Sequence, residues 1–242
     1  MIQLATCVSP SHLEHFNLFL TTIGEFGSID VTWMPQVSKT SHTWGGKGWT
    51  AQLRRKAHAM QDAALRNKKE FMLWSDVDVV FLQPCVDRLI ELMNAGEGYD
   101  LLGQATGTGT LCAGFYIARM TDKLHHLLDT IVKDSAAYKN PAGDQYAMNK
   151  HRGLVKWGEL PVEEFWTPGW RGPPATARPR RVRRGFPPGW GLWGACKNVN
   201  TPATARVTHA NFCKGPKIKL LGMQISLKQS AVHRAAEKEG TA

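Results

Sequence analysis

A short buried segment that ends in two aspartates constrains this chain more than any other feature. The run Phe71–Trp74 is apolar throughout, and it is followed by Ser75, Asp76 and Asp78 and then by a second apolar run, Val79–Leu82. Apolar runs of this length are typical of buried strands. In a regular strand the two carboxylates would share one face. They would repel each other unless a cation lay beside them, so the pair indicates a Mg²⁺ or Mn²⁺ site. A solvated turn is the alternative.

The N-terminal third of the chain alternates between strand and helix patterns. Ile2–Val8 reads as a buried strand, Pro10 opens a helix that ends near Ile23, Ile29–Met34 is a second strand, and Thr50 is placed to cap a longer helix. Later patterns predict helices at 86–93, 121–132 and 143–151, and strands at 99–103, 111–118, 154–157, 207–209 and 218–221. This order predicts an α/β fold with a mixed, mainly parallel sheet and helices on both faces.

Composition bounds the class of protein. A chain of 242 residues with 43% hydrophobic and 21% charged residues can form one α/β domain over residues 1–242. No apolar run reaches the roughly 18 residues of a membrane helix, and the N-terminus lacks the basic region of a secretory signal, so we expect a cytoplasmic protein. Five cysteines without a Cys-x-x-Cys pair indicate free thiols. The net charge of +10 suits an anionic ligand: a nucleotide diphosphate, a nucleic acid or a membrane surface.

Residues 158–204 differ from the rest of the chain. They hold eight of the 13 prolines and four of the nine tryptophans, with little periodicity, which indicates a loop-rich insertion within the domain. Five arginines lie between Arg178 and Arg184. We expect this tract and its flanking tryptophans to form a lid over the ligand site or a segment that binds a second substrate. A solvated run of charge is the alternative.

Four segments, in order along the chain, resemble the GT-A nucleotide-sugar glycosyltransferases. Leu73–Leu82 resembles their Asp-x-Asp segment. Leu111–Ala118 is similar to the strand that lines the donor sugar, with Cys112 where the family usually has Asn. Gly143–Asn149 resembles the Asp-Gln helix start, and His209–Lys217 resembles the C-terminal His…Gly…Lys signature of retaining members. Together these segments cover roughly residues 70–220, and four motifs in the family's order are more specific than any one of them.

The resemblance implies transfer of a sugar from a nucleoside diphosphate donor, expected to be a UDP-sugar, to a hydroxyl of a glycan, a protein or another acceptor, with retention of configuration. It implies that Asp76, Asp78 and His209 hold Mn²⁺, or Mg²⁺, and the mixed oxygen and nitrogen ligands favour manganese. The catalytic residues it implies are Asp144, Gln145 and Lys217. The implied donor-binding residues are Lys47, Lys56, Ser75, Asp76, Cys112, Gly114, Gly215 and Lys217.

Two other functions fit parts of the sequence. A nucleotidyltransferase acting on sugar phosphates would also use two carboxylates and a metal, but it generally needs a further acidic residue near the pair and a nucleotide-gripping glycine-rich loop. The segment Gly45–Thr50 fails the phosphate-loop pattern, because Gly48 stands where Ser or Thr must follow the lysine. A basic nucleic-acid-binding module would use Arg178–Arg184, but it would leave most of the chain unexplained. Nucleic acid is therefore not the expected partner.

Overall fold

The computed structural model describes residues 1–35, 48–105, 109–167, 201–210 and 216–240, and within these ranges it contains nine strands and six α-helices. The strands are β1 (Ile2–Val8), β2 (Ile29–Trp33), β3 (Phe71–Ser75), β4 (Val79–Phe81), β5 (Leu101–Ala105), β6 (Leu111–Arg119), β7 (Trp157–Glu159), β8 (Phe165–Trp166) and β9 (Val207–His209). The helices are α1 (Leu13–Leu20), α2 (Trp49–Arg66), α3 (Val86–Asn94), α4 (Asp122–Lys133), α5 (Gly143–His151) and α6 (Pro216–Gly240).

The larger sheet has six strands in the order β2-β1-β3-β6-β5-β7. Strand β1 pairs in parallel with β2 and with β3, and β5 pairs in parallel with β7, whereas β6 is antiparallel to β3 and β5. Parallel neighbours need a crossover. Helix α1 connects β1 to β2, and the longer path through β2 and α2 connects β1 to β3. The predicted mixed, mainly parallel sheet is confirmed.

Strand β3 shows why its sequence is apolar throughout: both of its faces are covered. Met72 and Trp74 pack into the hydrophobic layer that α2, α4 and α5 form. Phe71 and Leu73, which alternate with them, pack into the opposite layer, which contains α1 and α3. All four side chains are at most 1% exposed, so the prediction of helices on both faces is also confirmed.

A smaller sheet begins where β3 ends. It has the order β4-β9-β8, with β4 antiparallel and β8 parallel to β9. Ser75 pairs with Phe115 in the larger sheet, but Val79 pairs with His209 in the smaller one. The chain must turn between them, so the expectation that one strand carries both aspartates at its end was wrong.

Two further expectations about local structure were also wrong. Helix α2 begins at Trp49 after Gly48, whose φ of 81° is one that glycine adopts without strain, so Thr50 lies inside the helix and does not cap it. The strand predicted at 218–221 belongs to α6. A short apolar run does not distinguish strand from helix by periodicity alone.

Two boundaries moved by a few residues. Strand β5 includes Gln104 and Ala105, beyond the predicted end at residue 103, and β7 begins at Trp157, where the predicted strand ended. Within the expected insertion, the described ends at 158–167 and 201–204 include β8. The Arg178–Arg184 tract and Trp170, Trp190 and Trp193 lie outside the described residues.

Two expectations drawn from composition can be compared with the structure. Among the described residues, no helix combines the length and the apolar character that a membrane crossing requires. Cys7, Cys85 and Cys112 are buried free thiols, as the cysteine spacing predicted.

Candidate metal and donor site

The turn that carries the two aspartates is fixed by neighbouring backbone on both sides. The backbone N–H of Asp76 donates to Gly114 O at 2.7 Å, and the N–H of Ala210 donates to Asp78 O at 2.9 Å. Below the turn, Thr6 Oγ1 donates to Ser75 O at 2.5 Å. Residues of β1 and β6 and the residue after β9 thus all form hydrogen bonds with this segment. These bonds fix its backbone and therefore the directions in which its two carboxylates point.

Asp76, Asp78 and His209 come together at this turn. Each offers one ligand atom, and the three atoms all lie within 4.8 Å of one another. His209 is delivered by the pairing of β9 with β4, and its Nε2 lies 3.2 Å from Asp78 Oδ1. Ligands bound to one divalent cation at about 2.0–2.3 Å are at most about 4–4.6 Å apart, so small side-chain movements suffice for this set to hold a cation. Two carboxylates and one imidazole fit Mn²⁺.

Gly114 makes this close arrangement possible. A Cβ at this position would overlap the ring of His209 and would lie 2.7 Å from Asp76 Oδ2. Any larger residue in the middle of β6 would therefore push two of the three candidate ligands away. Gly114, which the resemblance implied as a donor-binding residue, thus lies directly against His209 and Asp76.

Two lysines neutralise the carboxylates. Lys56 on α2 places its Nζ 2.7 Å from Asp76 Oδ2 and 3.0 Å from Asp144 Oδ2, and its side chain is only 11% exposed. Lys219, in the first turn of α6, forms an ion pair with Asp78 Oδ2. Asp76 and Asp144, both predicted as site residues, are thus linked through one buried ammonium group.

Glycine also brings Asp144 within reach of Lys56. A Cβ on Gly143, the first residue of α5, would lie 2.9 Å from the side chain of Leu53 on α2. Without that Cβ, the start of α5 lies directly against α2, and Asp144 is buried beside Lys56. The packing of α5 against α2 therefore explains why glycine precedes Asp144 at this helix start.

The pKa values of the two aspartates of the turn are shifted in opposite directions. Burial alone would raise the pKa of Asp78, but Lys219 and His209 outweigh it and hold that pKa well below its usual value. Burial raises the pKa of Asp76, and the charge of Asp78 adds to this, although Lys56 opposes it. Burial opposes charge on His209, yet Asp78 raises its pKa to about 10. A metal ion would therefore have to displace a proton from His209.

The structure brings together most, but not all, of the residues predicted for the site. Together at the turn are Lys56, Asp76, Asp78, Cys112, Gly114, Asp144 and His209. Ser75 is buried below it and donates its hydroxyl hydrogen bond to Asp76 O at 3.1 Å. Gln145 is half-buried on α5, and Lys217 is exposed on α6. Lys47 and Gly215 lie outside the described residues.

Two residues of this region, Lys219 and Gln104, were not predicted from the sequence. Lys219 lies two positions after the predicted Lys217, and the strand expected at 218–221 hid the helical geometry that directs its side chain to Asp78. The Oε1 atom of Gln104 lies 3.0 Å from His209 Nδ1. Gln104 follows the end of the strand predicted at 99–103, and no sequence motif indicates its contact with His209.

Comparison with known proteins identifies the family. Residues 27–223 match the nucleotide-diphospho-sugar transferase family over more than half of the chain. The chain belongs to this family. The resemblance stated from the four sequence segments is therefore confirmed. A search of curated protein sequences gave no match.

Solved structures agree with a GT-A fold. A glycosyltransferase involved in glycosylation of the major capsid of PBCV-1 has a TM-score of 0.56 at 12% identity, covering 92% of this chain and 98% of its own. The galactosyltransferase LgtC, in complex with donor and acceptor sugar analogues, has a TM-score of 0.52 at 9% identity, covering 95% of each chain. A third match, the glycosyltransferase GlyE of Streptococcus pneumoniae TIGR4, has a TM-score of 0.44 at 13% identity. The match covers 66% of this chain, and this chain spans 45% of the length of GlyE. At such identities the likeness shows the fold alone.

Gly114→Ala tests whether the candidate metal site needs the close approach of β6 to the three candidate ligands. The added methyl must displace His209 or Asp76, so we expect Mn²⁺ affinity to fall by at least about tenfold while the fold is retained. Isothermal titration with Mn²⁺ measures the affinity, and circular dichroism checks the fold. Gly153→Ala is the matched control, because a Cβ there meets nothing within 4 Å. Unchanged Mn²⁺ affinity in Gly114→Ala would contradict the proposed ligand set.

Proposed function

We propose that this nucleotide-diphospho-sugar transferase moves a sugar from a UDP-sugar to an acceptor hydroxyl, with Mn²⁺, or Mg²⁺, held by Asp76, Asp78 and His209. The observation that carries the proposal is the convergence of these three side chains on one turn beside β6. A divalent cation bound there would neutralise charge on the leaving diphosphate. The acceptor is expected to be a hydroxyl of a glycan, a protein or another molecule.

The two lysines have different roles in this proposal. Lys56 is buried between Asp76 and Asp144, so it fixes the distance between the metal-side and the sugar-side carboxylates. Lys219 is half-buried and borders the site from α6. We propose that its ammonium group stabilises negative charge that develops on the leaving diphosphate, so that Lys219 takes the catalytic role that the resemblance implied for Lys217.

Asp144 and Gln145 lie on the sugar side of this arrangement. Asp144 is buried at the start of α5 with Lys56 as its ion-pair partner, and Gln145 follows it on the same helix. A carboxylate and an amide there can hydrogen-bond sugar hydroxyls and flank the anomeric carbon. The pair resembles that of retaining families, and we propose retention of configuration on this ground.

The two alternative functions receive less support. Asp144 is a further carboxylate near the aspartate pair, which a nucleotidyltransferase would need, but Lys56 lies between it and Asp76. Membership of a sugar-transferase family favours sugar transfer. The arginine tract on which a nucleic-acid-binding module would depend lies outside the described residues.

Asp78→Asn is the first test of this function. The amide keeps the shape of the side chain but loses a charged ligand, so we expect Mn²⁺-dependent hydrolysis or transfer of the sugar nucleotide to fall by at least about 100-fold. Thermal-shift measurements with UDP-, GDP- and CDP-sugars, with and without Mn²⁺, identify the donor beforehand. The control is Asp62→Asn, an exposed aspartate on α2. Full wild-type activity in excess chelator would contradict the metal-dependent mechanism.

Lys219→Ala and Lys217→Ala, compared side by side, assign the lysine that assists the leaving group. We expect Lys219→Ala to lower kcat by about 100-fold at saturating Mn²⁺ and donor, because charge on the diphosphate grows in the transition state. Lys217→Ala should change kcat much less, since its side chain is exposed. Steady-state kinetics decide between them, and the reverse ranking would return this role to Lys217.

Retention of the anomeric configuration is checked by proton NMR of the first-formed product. The coupling constant of its anomeric proton should match that of the donor sugar. A coupling that corresponds to the opposite anomer would show an inverting enzyme, and it would remove Asp144 and Gln145 from the roles that the retaining families suggest.

A further inference from the structure

Gln104 is a wholly buried polar residue that the proposed reaction does not yet use. It lies on β5, where the register with β6 becomes irregular between Gly103 and Ala105. Such irregularities re-aim side chains and are common beside active sites. Here the side chain of Gln104 reaches across to the smaller sheet and meets both β8 and β9.

The contacts of the Gln104 amide fix its orientation. One of its end atoms faces the carbonyl oxygens of Phe165 and Trp166, each at 3.1 Å. Carbonyl oxygens only accept hydrogen bonds, so that atom must be the NH₂ group, which donates to both. The amide oxygen is then the atom that lies 3.0 Å from Nδ1 of His209.

This orientation determines which nitrogen of His209 keeps its proton when the imidazole becomes neutral. An amide oxygen can only accept, so Nδ1 must donate to it. In a neutral imidazole the lone pair then belongs to Nε2, the nitrogen that faces Asp78 Oδ1 at 3.2 Å. Cys112 Sγ also lies 3.6 Å from Nδ1, but a thiol sulfur is a weak acceptor, and it already accepts the N–H of Gly114 at 3.3 Å.

We propose that Gln104 is the positioning residue for His209: it holds the proton on Nδ1 and turns Nε2 toward Asp76 and Asp78, so that the imidazole can bind a divalent cation. This inference rests on the metal site of the proposed function. Gln104 acts through His209 and touches neither the cation nor the sugar. Second partners of metal-binding histidines typically change metal affinity by about 10- to 100-fold when they are removed.

Two substitutions of Gln104 separate positioning from mere structural support. Gln104→Leu removes both the acceptor for His209 and the donors to β8. Gln104→Glu keeps an acceptor for Nδ1–H but also loses the donors to β8. If Gln104 only braced β8, the two variants would behave alike. If it positions His209, only Gln104→Leu should lose cation binding.

Thr208→Val provides the matched control. Thr208 precedes His209 on β9, its side chain is buried, and its hydroxyl has no hydrogen-bond partner among the described residues. Valine has nearly the same shape, so this substitution disturbs the same strand without changing any contact of His209. Mn²⁺ affinity should stay at the wild-type value.

The experiment measures Mn²⁺ affinity by electron paramagnetic resonance and the protonation of His209 by ¹⁵N NMR with Zn²⁺ as a diamagnetic probe. In the wild type we expect Nδ1 protonated and Nε2 bound to Zn²⁺. Gln104→Leu should weaken Mn²⁺ binding by about 10- to 100-fold, while Gln104→Glu keeps Nδ1 protonated and retains most of the affinity.

Three results would overturn the role of Gln104. They are a proton on Nε2 with Zn²⁺ on Nδ1 in the wild type, equal loss of affinity in both Gln104 variants, and a wild type that binds neither ion. The first can be read from wild-type protein even if a variant does not fold. Intact Mn²⁺ binding and Nδ1 protonation without sugar transfer would instead refute the proposed function and leave the role of Gln104 standing.

Discussion

The repulsion between three carboxylates in one small region is the constraint on which the rest of the site depends. Asp76, Asp78 and Asp144 are drawn together by a turn and a helix start, and buried charge is costly unless it is paired. Lys56 on α2 forms ion pairs with Asp76 and Asp144, and Lys219 on α6 forms an ion pair with Asp78. Two helices far apart in sequence are thereby fixed to the end of one central strand.

Close packing of backbone makes this concentration of charge possible. Gly114 and Gly143 occur where a Cβ would meet a candidate ligand or a neighbouring helix. The turn at Asp76–Asp78 is also the point where the chain leaves the larger sheet for the smaller one, whose β9 delivers His209. The site therefore includes residues of both sheets. If the pairing of β4 with β9 changed, His209 would move away from Asp76 and Asp78.

Local patterns predicted much of the fold, because they report on burial and on helix ends. Ile2–Val8, Gly143–His151 and Val207–His209 have the bounds that the sequence predicted, since apolar runs and glycine or proline signals are encoded locally. The turn after Ser75 was only an alternative at the level of sequence, because it follows from the pairing of Ser75 with Phe115, 40 positions later, and of Val79 with His209, 130 positions later.

The polar partners of the site were harder to predict than its ligands. Asp76 and Asp78 carry a sequence signature, whereas Lys219 depends on the phase of a helix that the sequence presented as a strand. Gln104 depends on an irregular register between β5 and β6, which no local pattern indicates. Motifs reveal residues that act on ligands, and the side chains that orient them emerge only from tertiary contacts.

Anomalous diffraction at the manganese edge, from crystals soaked with Mn²⁺ and UDP, locates the cation directly. We expect one peak within bonding distance of Asp76, Asp78 and Nε2 of His209, beside the diphosphate of UDP. A peak that none of these side chains binds, or no peak while Lys219 still pairs with Asp78, would contradict this expectation.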